Sequence, residues 1–464
     1  MNSAVDPQQD EAFIGLKVTP LQRNAALARM GAGMGARFVA HSARNLFRDA
    51  DGRSAANQTF YREQAQQLVE QLGQLKGSVM KAGQLLALYG AYFLPEDAVG
   101  ILGQLQDLSQ PVPWRTLEPI VRRGLGTAQM AQLDIDETAI GAASLGQVHR
   151  ARRKSDGLEL CLKVQYPGVA DAIDSDIRTL SRLLILSRIT PRGLDLRPMF
   201  DELRQMLRQE VDYRRERRYT QLYAERLQGD ARFAVPRMLP EYCGLRVLTM
   251  TYESGRPVSD PQIRALSQAR RNRYADALLD LFLTELFGWG MVQSDPNFGN
   301  YLFRPGTPEG DALLLLDFGA VRRFRPAFVE AYAEIVRGAL LHERPRIIRG
   351  AAAIGILRED FPQSVLDGFS RMCEALVEPF AEPPRGGPQA HLWNARGEYR
   401  WGRSDLPERA ALATAASTVT VHFRLPPREI VFLHRRLTGM FMMLAALDAE
   451  LDGRERLCRA LKLP

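Results

Sequence analysis

Residues that favour β-strands are concentrated in one part of an otherwise helical sequence, and this restricts the fold more than any other feature. Two short strands are predicted over Gln147–Arg152 and Glu159–Gln165, with Ser155-Asp156-Gly157 as the hairpin turn between them. Strand-like runs end at Tyr252, whereas helical spacing of apolar residues prevails elsewhere, including Pro198–Arg226. We therefore predict an α+β fold with an N-terminal helical extension over 1–137, a small sheet-containing lobe over 138–253 and a helical lobe over 254–464.

The composition is that of a globular protein with a large core. Of 464 residues, 45% are hydrophobic and 25% are charged, which excludes disordered and fibrous architectures. Uncharged apolar runs such as 437–447 are shorter than the roughly 18 residues that suggest a membrane span, and the N-terminus lacks the basic start of a signal peptide. We expect a cytoplasmic protein. Peripheral contact with the inner face of a membrane stays open, through basic N-terminal helices or the Arg-rich segment 380–408.

The charged residues argue against a nucleic-acid partner, because the net charge of +7 is spread over the chain without a long basic run. Four scattered cysteines indicate neither a disulfide framework nor a zinc site. Only six of the 61 basic residues are lysines. Lys81 and Lys163 therefore stand out, since lysine and arginine differ wherever a compact point charge is needed.

Three polar residues in the second half of the chain have the spacing of a phosphoryl-transfer site. Asp295 and Asn300 lie five apart in QSDPNFGN, and Asp317 opens DFG after the apolar run Leu313–Leu316. Protein kinases hold magnesium and the nucleophile with D-x-x-x-x-N and DFG. Lys163, in the strand-like LCLKV, can reach phosphate oxygens. The residues predict a site for ATP (or ADP) with Mg²⁺.

Longer motifs extend the similarity beyond kinases in general. They are KAGQ at Lys81–Gln84, the alanine-rich GAASLGQVHRA at Gly141–Ala151, KVQYPGV at Lys163–Val169 and QEVDYRRE, which ends at Glu216. With these motifs the chain resembles the UbiB/AarF-type atypical protein-kinase-like family, which is linked in bacteria and mitochondria to ubiquinone biosynthesis. The resemblance covers roughly residues 60–325.

The resemblance implies roles for residues at matching positions. Lys163 would be the strand lysine with Glu210 as its helical carboxylate partner. Asp295 would be the catalytic aspartate, and Asn300 and Asp317 would be magnesium ligands.

The KxGQ motif would lie on an N-terminal helix across the active site. Lys81 and Gln84 would belong to this regulatory extension, with Lys81 also catalytic and with Asp212 and Glu216 as its ionic partners. Met250 and Tyr252, which precede Ser254, would lie beside an adenine. The equally weighted alternative is that they form a buried strand end. The nucleotide contacts implied in this way, besides Lys163 and Glu210, are Ala142, Ala143, Ser144, Gly146, Gln147, Met250 and Tyr252.

The implied activity is that of an ATP-binding, Mg-dependent atypical kinase or ATPase in isoprenoid quinone (ubiquinone) biosynthesis. Its partners would be a nucleotide and a quinone precursor or another lipid-like small molecule. Protein phosphorylation is not expected, because Gly141-Ala142-Ala143-Ser144-Leu145-Gly146 stands in place of G-x-G-x-x-G, with alanine methyl groups that would hinder close approach to phosphates. In addition, a helical pattern follows DFG almost directly, without an activation segment.

Departures from the family pattern keep two other functions open. Gln293, Asn297 and Phe298 replace two histidines and a proline around Asp295, which is compatible with a nucleotide-binding pseudokinase scaffold for partner enzymes. A small-molecule phosphotransferase of the aminoglycoside or choline kinase type shares the D-x-x-x-x-N spacing. That class resembles this chain less because it lacks KxGQ.

Overall fold

The computed structural model describes Ala82 and residues 111–142, 145–187, 197–307, 310–358, 360–384, 386–387, 389–406, 409 and 427–463. The chain divides into two compact units. The first unit comprises the residues up to Arg217 together with Met238–Tyr252. The second unit comprises Arg218–Arg237 and Glu253–Pro464.

A four-stranded antiparallel sheet in the order β1-β2-β3-β5 forms the centre of the first unit. The predicted hairpin is present, and Gly157 in its turn has a φ of +73°, where glycine avoids the steric cost of a side chain. The sequence does not predict β1, which is mostly exposed and interrupted by register shifts. The strands are β1 (Leu133–Ala142), β2 (Gly146–Arg153), β3 (Glu159–Gln165) and β5 (Val247–Thr251).

Helix α1 (Trp114–Leu125) packs against β3 and β5. Its buried residues are Leu117, Ile120, Val121 and Leu125, whose spacing places them on one face. A short helix α2 (Thr127–Ala131) follows. The helices after the sheet are α3 (Val169–Ser187), α4 (Arg197–Glu210) and α5 (Tyr213–Arg226). The continuous helical pattern predicted over Pro198–Arg226 is therefore two helices, and the chain passes into the second unit within α5.

The second unit is mainly helical and has one large apolar core. Its first helices are α6 (Pro261–Arg264) and α7 (Gln268–Leu283), and α7 ends in a π turn at Thr284–Gly288. Later helices are α8 (Pro326–Leu340), α9 (Arg344–Ala353), α10 (Gln363–Leu376), α11 (Arg428–Ala446) and α12 (Arg454–Leu461).

Short strands carry the polar loops of the second unit, so the lobe predicted as helical also contains β-structure, including most of the apolar run Leu313–Leu316 before DFG. One sheet has the order β4-β8-β7 and two strand pairs are β6-β9 and β10-β11. The sequence pattern misses most of them because most are only two or three residues long. They are β4 (Phe233–Ala234), β6 (Met291–Gln293), β7 (Tyr301–Thr307), β8 (Gly310–Leu315), β9 (Val321–Arg323), β10 (Tyr399–Arg400) and β11 (Glu450–Leu451).

All four cysteines are free thiols, with Cys373 buried and the other three half-buried. Among the described helices, none is long and apolar enough to cross a membrane.

Candidate functional site

Lys163 and Glu216 form an ion pair inside the first unit. Lys163 lies on β3, and its Nζ donates to Oε1 of Glu216 at 2.7 Å. Glu216 is 2% exposed and Lys163 is 16% exposed. Since two charges are costly to bury unless they are paired, the pair fixes the lysine in one position on the sheet.

The assignment of Glu210 as the partner of Lys163 is corrected to Glu216. Glu210 is the last residue of α4, whereas Glu216 lies in the first turn of α5. The two helices are separated at Val211, whose carbonyl accepts a hydrogen bond from the side chain of Gln165 at 2.6 Å. The chain therefore turns between the two glutamates, and the second one faces β3.

Gly146 starts β2 at a point where the backbone leaves no room for a side chain. A Cβ there would lie 2.4 Å from the carbonyl oxygen of Val164 on β3. Ala142 ends β1 and is half-buried. Ala143 and Ser144, between these two strands, lie outside the described residues.

The side chain of Gln147 is used in a buried structural contact. Its Oε1 accepts from the N–H of Val112 at 2.7 Å, and its Nε2 donates to the carbonyl of Val112 at 3.0 Å. Nε2 also lies 2.9 Å from Nε2 of His149. The prediction that Gln147 contacts the nucleotide is therefore corrected as far as its side chain is concerned. Both polar atoms of its amide already form hydrogen bonds within the protein.

His149 completes this cluster in its neutral form. Its Nδ1 lies 2.9 Å from the carbonyl oxygen of Asp136, so Nδ1 carries the proton and Nε2 accepts from Gln147. Burial lowers the pKa of His149 below its ordinary value, although the hydrogen bond to Asp136 opposes this shift. A structural role for His149 agrees with these contacts.

Met250 and Tyr252 lie at the end of β5. Met250 is buried and pairs with Cys161 on β3. Tyr252 is half-buried, its N–H donates to the carbonyl of Glu159 at 3.0 Å, and the guanidinium of Arg150 lies 4.2 Å from its ring centroid. Both residues have strand-end contacts within the first unit.

In the second unit, Asp295, Asn300 and Asp317 lie on two neighbouring loops. Nδ2 of Asn300 donates to Oδ2 of Asp295 at 3.2 Å. The N–H of Leu316 donates to the carbonyl of Asn300 at 3.0 Å, which places Asp317 next to this pair. Asn300 and Asp317 line the same small recess. Residues far apart in the sequence are thus brought together at one edge of the β7–β8 ladder.

Gln293 joins the two loops. Its Oε1 accepts from the N–H of Asp295 at 2.8 Å, and its Nε2 donates to the carbonyl of Asp317 at 3.0 Å. The other two substituted positions also have defined contacts: Asn297 accepts from the N–H of Gly299 at 2.9 Å, and Phe298 packs against the core. The loop is therefore held in place without the histidines of the family pattern.

Helix α11 packs directly against the Asp295 loop. Nη2 of Arg435 donates to Oδ1 of Asp295 at 3.0 Å. One turn further along α11, Gly439 lies against Pro296, and a Cβ on Gly439 would be 2.1 Å from Cβ of Pro296. Both oxygens of Asp295 thus accept hydrogen bonds, one from Arg435 and one from Asn300. No motif in the sequence distinguishes Arg435 from the other arginines.

A buried carboxylate, also not predicted, anchors the strand before this loop. Glu285, in the π turn, accepts from the hydroxyl of Tyr223 at 2.5 Å and from the N–H of Gln293 at 3.1 Å. Arg436 lies 3.6 Å from its other oxygen and 5.1 Å from the ring centroid of Tyr301. Burial raises the pKa of Glu285 above its ordinary value, and Arg436 opposes the shift. Such π turns are frequent at functional sites.

The donor set on the two loops fits magnesium, which prefers carboxylate and amide oxygens. Within the described ranges, no cluster of three or more His, Cys, Asp or Glu side chains is suited to a metal ion. A site here therefore depends on the amide oxygen of Asn300 together with Asp317. When bound, the ion would neutralise phosphate charge.

The regulatory motif cannot be placed, because Lys81 and Gln84 lie outside the described residues. Of the partners expected for Lys81, Asp212 accepts a hydrogen bond from the N–H of Arg215 at 3.0 Å and so caps α5. Glu216 is the partner of Lys163. The predicted contacts of Lys81 remain predictions.

A lysine–glutamate pair on a small antiparallel sheet and a D-x-x-x-x-N loop next to DFG define the class of kinase-like proteins. The profile of the ABC1 atypical kinase-like domain matches residues 104–350, which is more than half of the chain. The chain belongs to this family, and the predicted UbiB/AarF-type resemblance is confirmed.

Two curated relatives and one solved structure illustrate the similarity. The mitochondrial atypical kinase COQ8B of Rattus norvegicus is 32% identical over 84% of this chain and 70% of its own length. The mitochondrial atypical kinase COQ8 of Schizosaccharomyces pombe is 31% identical over 85% of this chain and 62% of its own length, so this chain spans less than two thirds of that relative.

The solved structure is that of the Rv3197–erythromycin complex from Mycobacterium tuberculosis. It aligns with a TM-score of 0.57 at 23% identity and covers 89% of this chain and 99% of that one. The similarity concerns the fold, and it confirms the predicted α+β atypical kinase-like architecture.

Proposed function

We propose that this protein binds ATP (or ADP) with Mg²⁺ and acts as an atypical kinase or ATPase. The observation that carries the proposal is the ion pair of Lys163 and Glu216, because a paired lysine on this strand can hold phosphate oxygens. The oxygen donors of Asn300 and Asp317 support magnesium binding.

The short connection after Asp317 supports a substrate other than a protein. Strand β9 covers Val321–Arg323, and α8 begins at Pro326. Eight residues therefore separate the DFG aspartate from the next helix, so there is no room for a peptide-docking activation segment.

Thermal unfolding with and without Mg-ATP tests the proposal. At about 100 times its dissociation constant, the nucleotide should stabilise the wild type by about 2.7 kcal/mol. Asp317→Asn should lose the magnesium-dependent part of this shift, because Asn keeps the acceptor for the N–H of Gly319 at 2.8 Å but removes the charge. Lys163→Met should weaken binding with or without magnesium.

The matched control is Asp134→Asn, which removes an exposed carboxylate from β1. It should keep the full Mg-ATP shift. The proposal is wrong if Mg-ATP leaves the wild type unchanged, or if Asp317→Asn and Asp134→Asn respond equally.

A nucleotide-binding scaffold without turnover is the second candidate, and the contact of Arg435 with Asp295 favours it. One oxygen of the catalytic-position carboxylate is held at 3.0 Å by this arginine. Single-turnover ATP hydrolysis that disappears in Asp295→Asn would contradict the scaffold. Mg-ATP binding without hydrolysis in the wild type and in Arg435→Gln would support it.

We also propose that the activity serves isoprenoid quinone (ubiquinone) biosynthesis and involves a quinone precursor or another lipid-like small molecule. Relatives named atypical kinase COQ8 support this role.

The test is Mg-dependent ATPase activity with and without liposomes and a phenolic quinone precursor. An increase with the precursor that is absent with phenol-free lipid supports a quinone-related role. Phosphorylation of an added aminoglycoside or amino alcohol would favour the small-molecule phosphotransferase instead.

A further inference from the structure

A large pocket opens on the first unit at the end of α1. Its volume is about 880 Å³. The first turn of α5 and the turn before β5 complete its walls. The described residues that line it are Ile120, Arg123, Gly124, Arg214, Arg217, Cys243, Gly244, Leu245 and Arg246.

Two glycines in contact form part of this pocket's wall. A Cβ on Gly244 would lie 2.7 Å from the carbonyl oxygen of Gly124, so the two backbone segments touch. The N–H of Gly244 donates to the carbonyl of Val247 at 2.8 Å, and the thiol of Cys243 accepts from the N–H of Thr249 at 3.3 Å. These bonds stabilise the turn itself, and the close approach of Gly244 to Gly124 places the turn against α1, so the pocket has a backbone wall.

Four arginines line the pocket, and its described lining contains no carboxylate. Arg246 pairs with Asp171 at 3.0 Å, and Nε of Arg123 donates to a carbonyl of its own helix at 3.1 Å. Arg214 and Arg217 have no ion pair with any described carboxylate. By contrast, Arg270 and Arg273 in the second unit share one aspartate.

The two uncompensated arginines lie on a different face of α5 from the nucleotide-site carboxylate. Arg214 and Arg217 are three residues apart and therefore neighbours on the helix surface. Glu216 is buried against Lys163, whereas Arg214 is exposed and Arg217 is half-buried. Burial raises the pKa of the Cys243 thiol, and the positive charge of Arg217 opposes this rise. Arg217 and Cys243 therefore lie close together in the pocket wall.

The positive charge of Arg214 and Arg217, which no described carboxylate pairs with, favours an external anion. Guanidinium groups bind phosphate through paired hydrogen bonds, and four of them around one pocket match a multiply charged phosphate group. We propose that this pocket, which we call the arginine pocket, binds a phosphate-bearing anion at a site separate from the nucleotide site. The anion is either a soluble phosphate compound or the headgroup of an anionic lipid.

Two probes distinguish these sources in the full-length protein. Inorganic pyrophosphate, followed by calorimetry, represents a soluble ligand. Vesicles of phosphatidylcholine with and without phosphatidic acid, followed by flotation, represent a lipid headgroup. The test variant is Arg214→Gln/Arg217→Gln, since glutamine and arginine have similar helix propensities.

The matched control is Arg264→Gln/Arg349→Gln, which removes the same charge from two exposed arginines of the second unit. At low salt, the test variant should bind the preferred probe roughly thirtyfold more weakly than the wild type, on the basis of about 1 kcal/mol per arginine. The control should bind as the wild type does.

Binding of pyrophosphate that only the test variant loses supports a soluble ligand, and loss confined to vesicles with phosphatidic acid supports a lipid headgroup. The inference is overturned if neither probe binds the wild type, or if test and control variants behave alike. The Mg-ATP thermal shift of the test variant should stay at the wild-type value, so this inference and the proposed nucleotide site can fail independently.

Discussion

Replacing Gly439 with alanine should destabilise the second unit, although glycine is usually a poor residue inside a helix. The added Cβ would lie 2.1 Å from Cβ and 3.1 Å from Cγ of Pro296, whereas carbon atoms normally pack at about 3.5–4.0 Å. Pro296 must therefore retreat by about 1.5 Å, and its ring cannot rotate out of the way. The loop around it is held by Gln293 and Arg435.

The magnitude follows from two opposing contributions. Overpacking of this kind costs about 1–3 kcal/mol, and the gain in helix propensity from Gly to Ala is about 1 kcal/mol. We expect a net loss of up to about 2 kcal/mol and a weaker contact between Asp295 and Arg435. The melting temperature of the second unit should fall by about 2–4 °C per kcal/mol.

Gly368→Ala is the matched control. Gly368 is also inside a helix, α10, but a Cβ there would meet no atom within 4 Å. This variant should be stabilised by about 0.5–1 kcal/mol. Circular dichroism melting curves of the wild type and both variants measure the two signs. If Gly439→Ala is as stable as Gly368→Ala, the argument from close packing of Pro296 is wrong.

Three further outcomes can be measured. Gln147→Leu should cost about 2–3 kcal/mol, because the buried N–H and carbonyl of Val112 lose their partners; an unchanged urea midpoint would contradict this. Lys163→Met and Glu216→Leu should each cost about 3–5 kcal/mol and the double variant less than their sum; additive losses would show that the pair is not coupled. Burial lowers the pKa of His434 from 6.5 to about 4, so the unfolded chain binds a proton first as the pH falls. Stability present above pH 6.5 should decline by about 3 kcal/mol towards pH 4, and melting against pH should show a smaller decline in His434→Leu.

The strand hairpin and the loop motifs could be predicted because local residue patterns determine them. The turn around Gly157 has the residues that such a turn requires, and Asp295, Asn300 and Asp317 are recognisable by spacing alone. Strand β1 could not be predicted in this way. Six of its ten residues are exposed, and its pairing with β2 contains register shifts, so it has no regular alternation.

Contacts between distant parts of the chain could not be predicted at all. Glu210 and Glu216 both fit a helical carboxylate, and only the turn at Val211 decides which one faces Lys163. Arg435 lies 140 residues from Asp295. In a sequence rich in arginine, nothing distinguishes this one from the others.

The bridge made by Gln293 has a consequence for how variants of the two loops can be used. Gln293 holds the backbone N–H of Asp295 and the backbone carbonyl of Asp317, and neither bond involves a carboxylate. Isosteric replacements of the two aspartates therefore keep the bonds that join the loops while they remove charge, and at Asp295 they also remove one of the two acceptors for Arg435 and Asn300. Substitution of Gln293 by leucine does the reverse: it keeps both carboxylates and removes the bond between their loops. Comparing the two kinds of variant separates the contribution of charge from that of loop geometry.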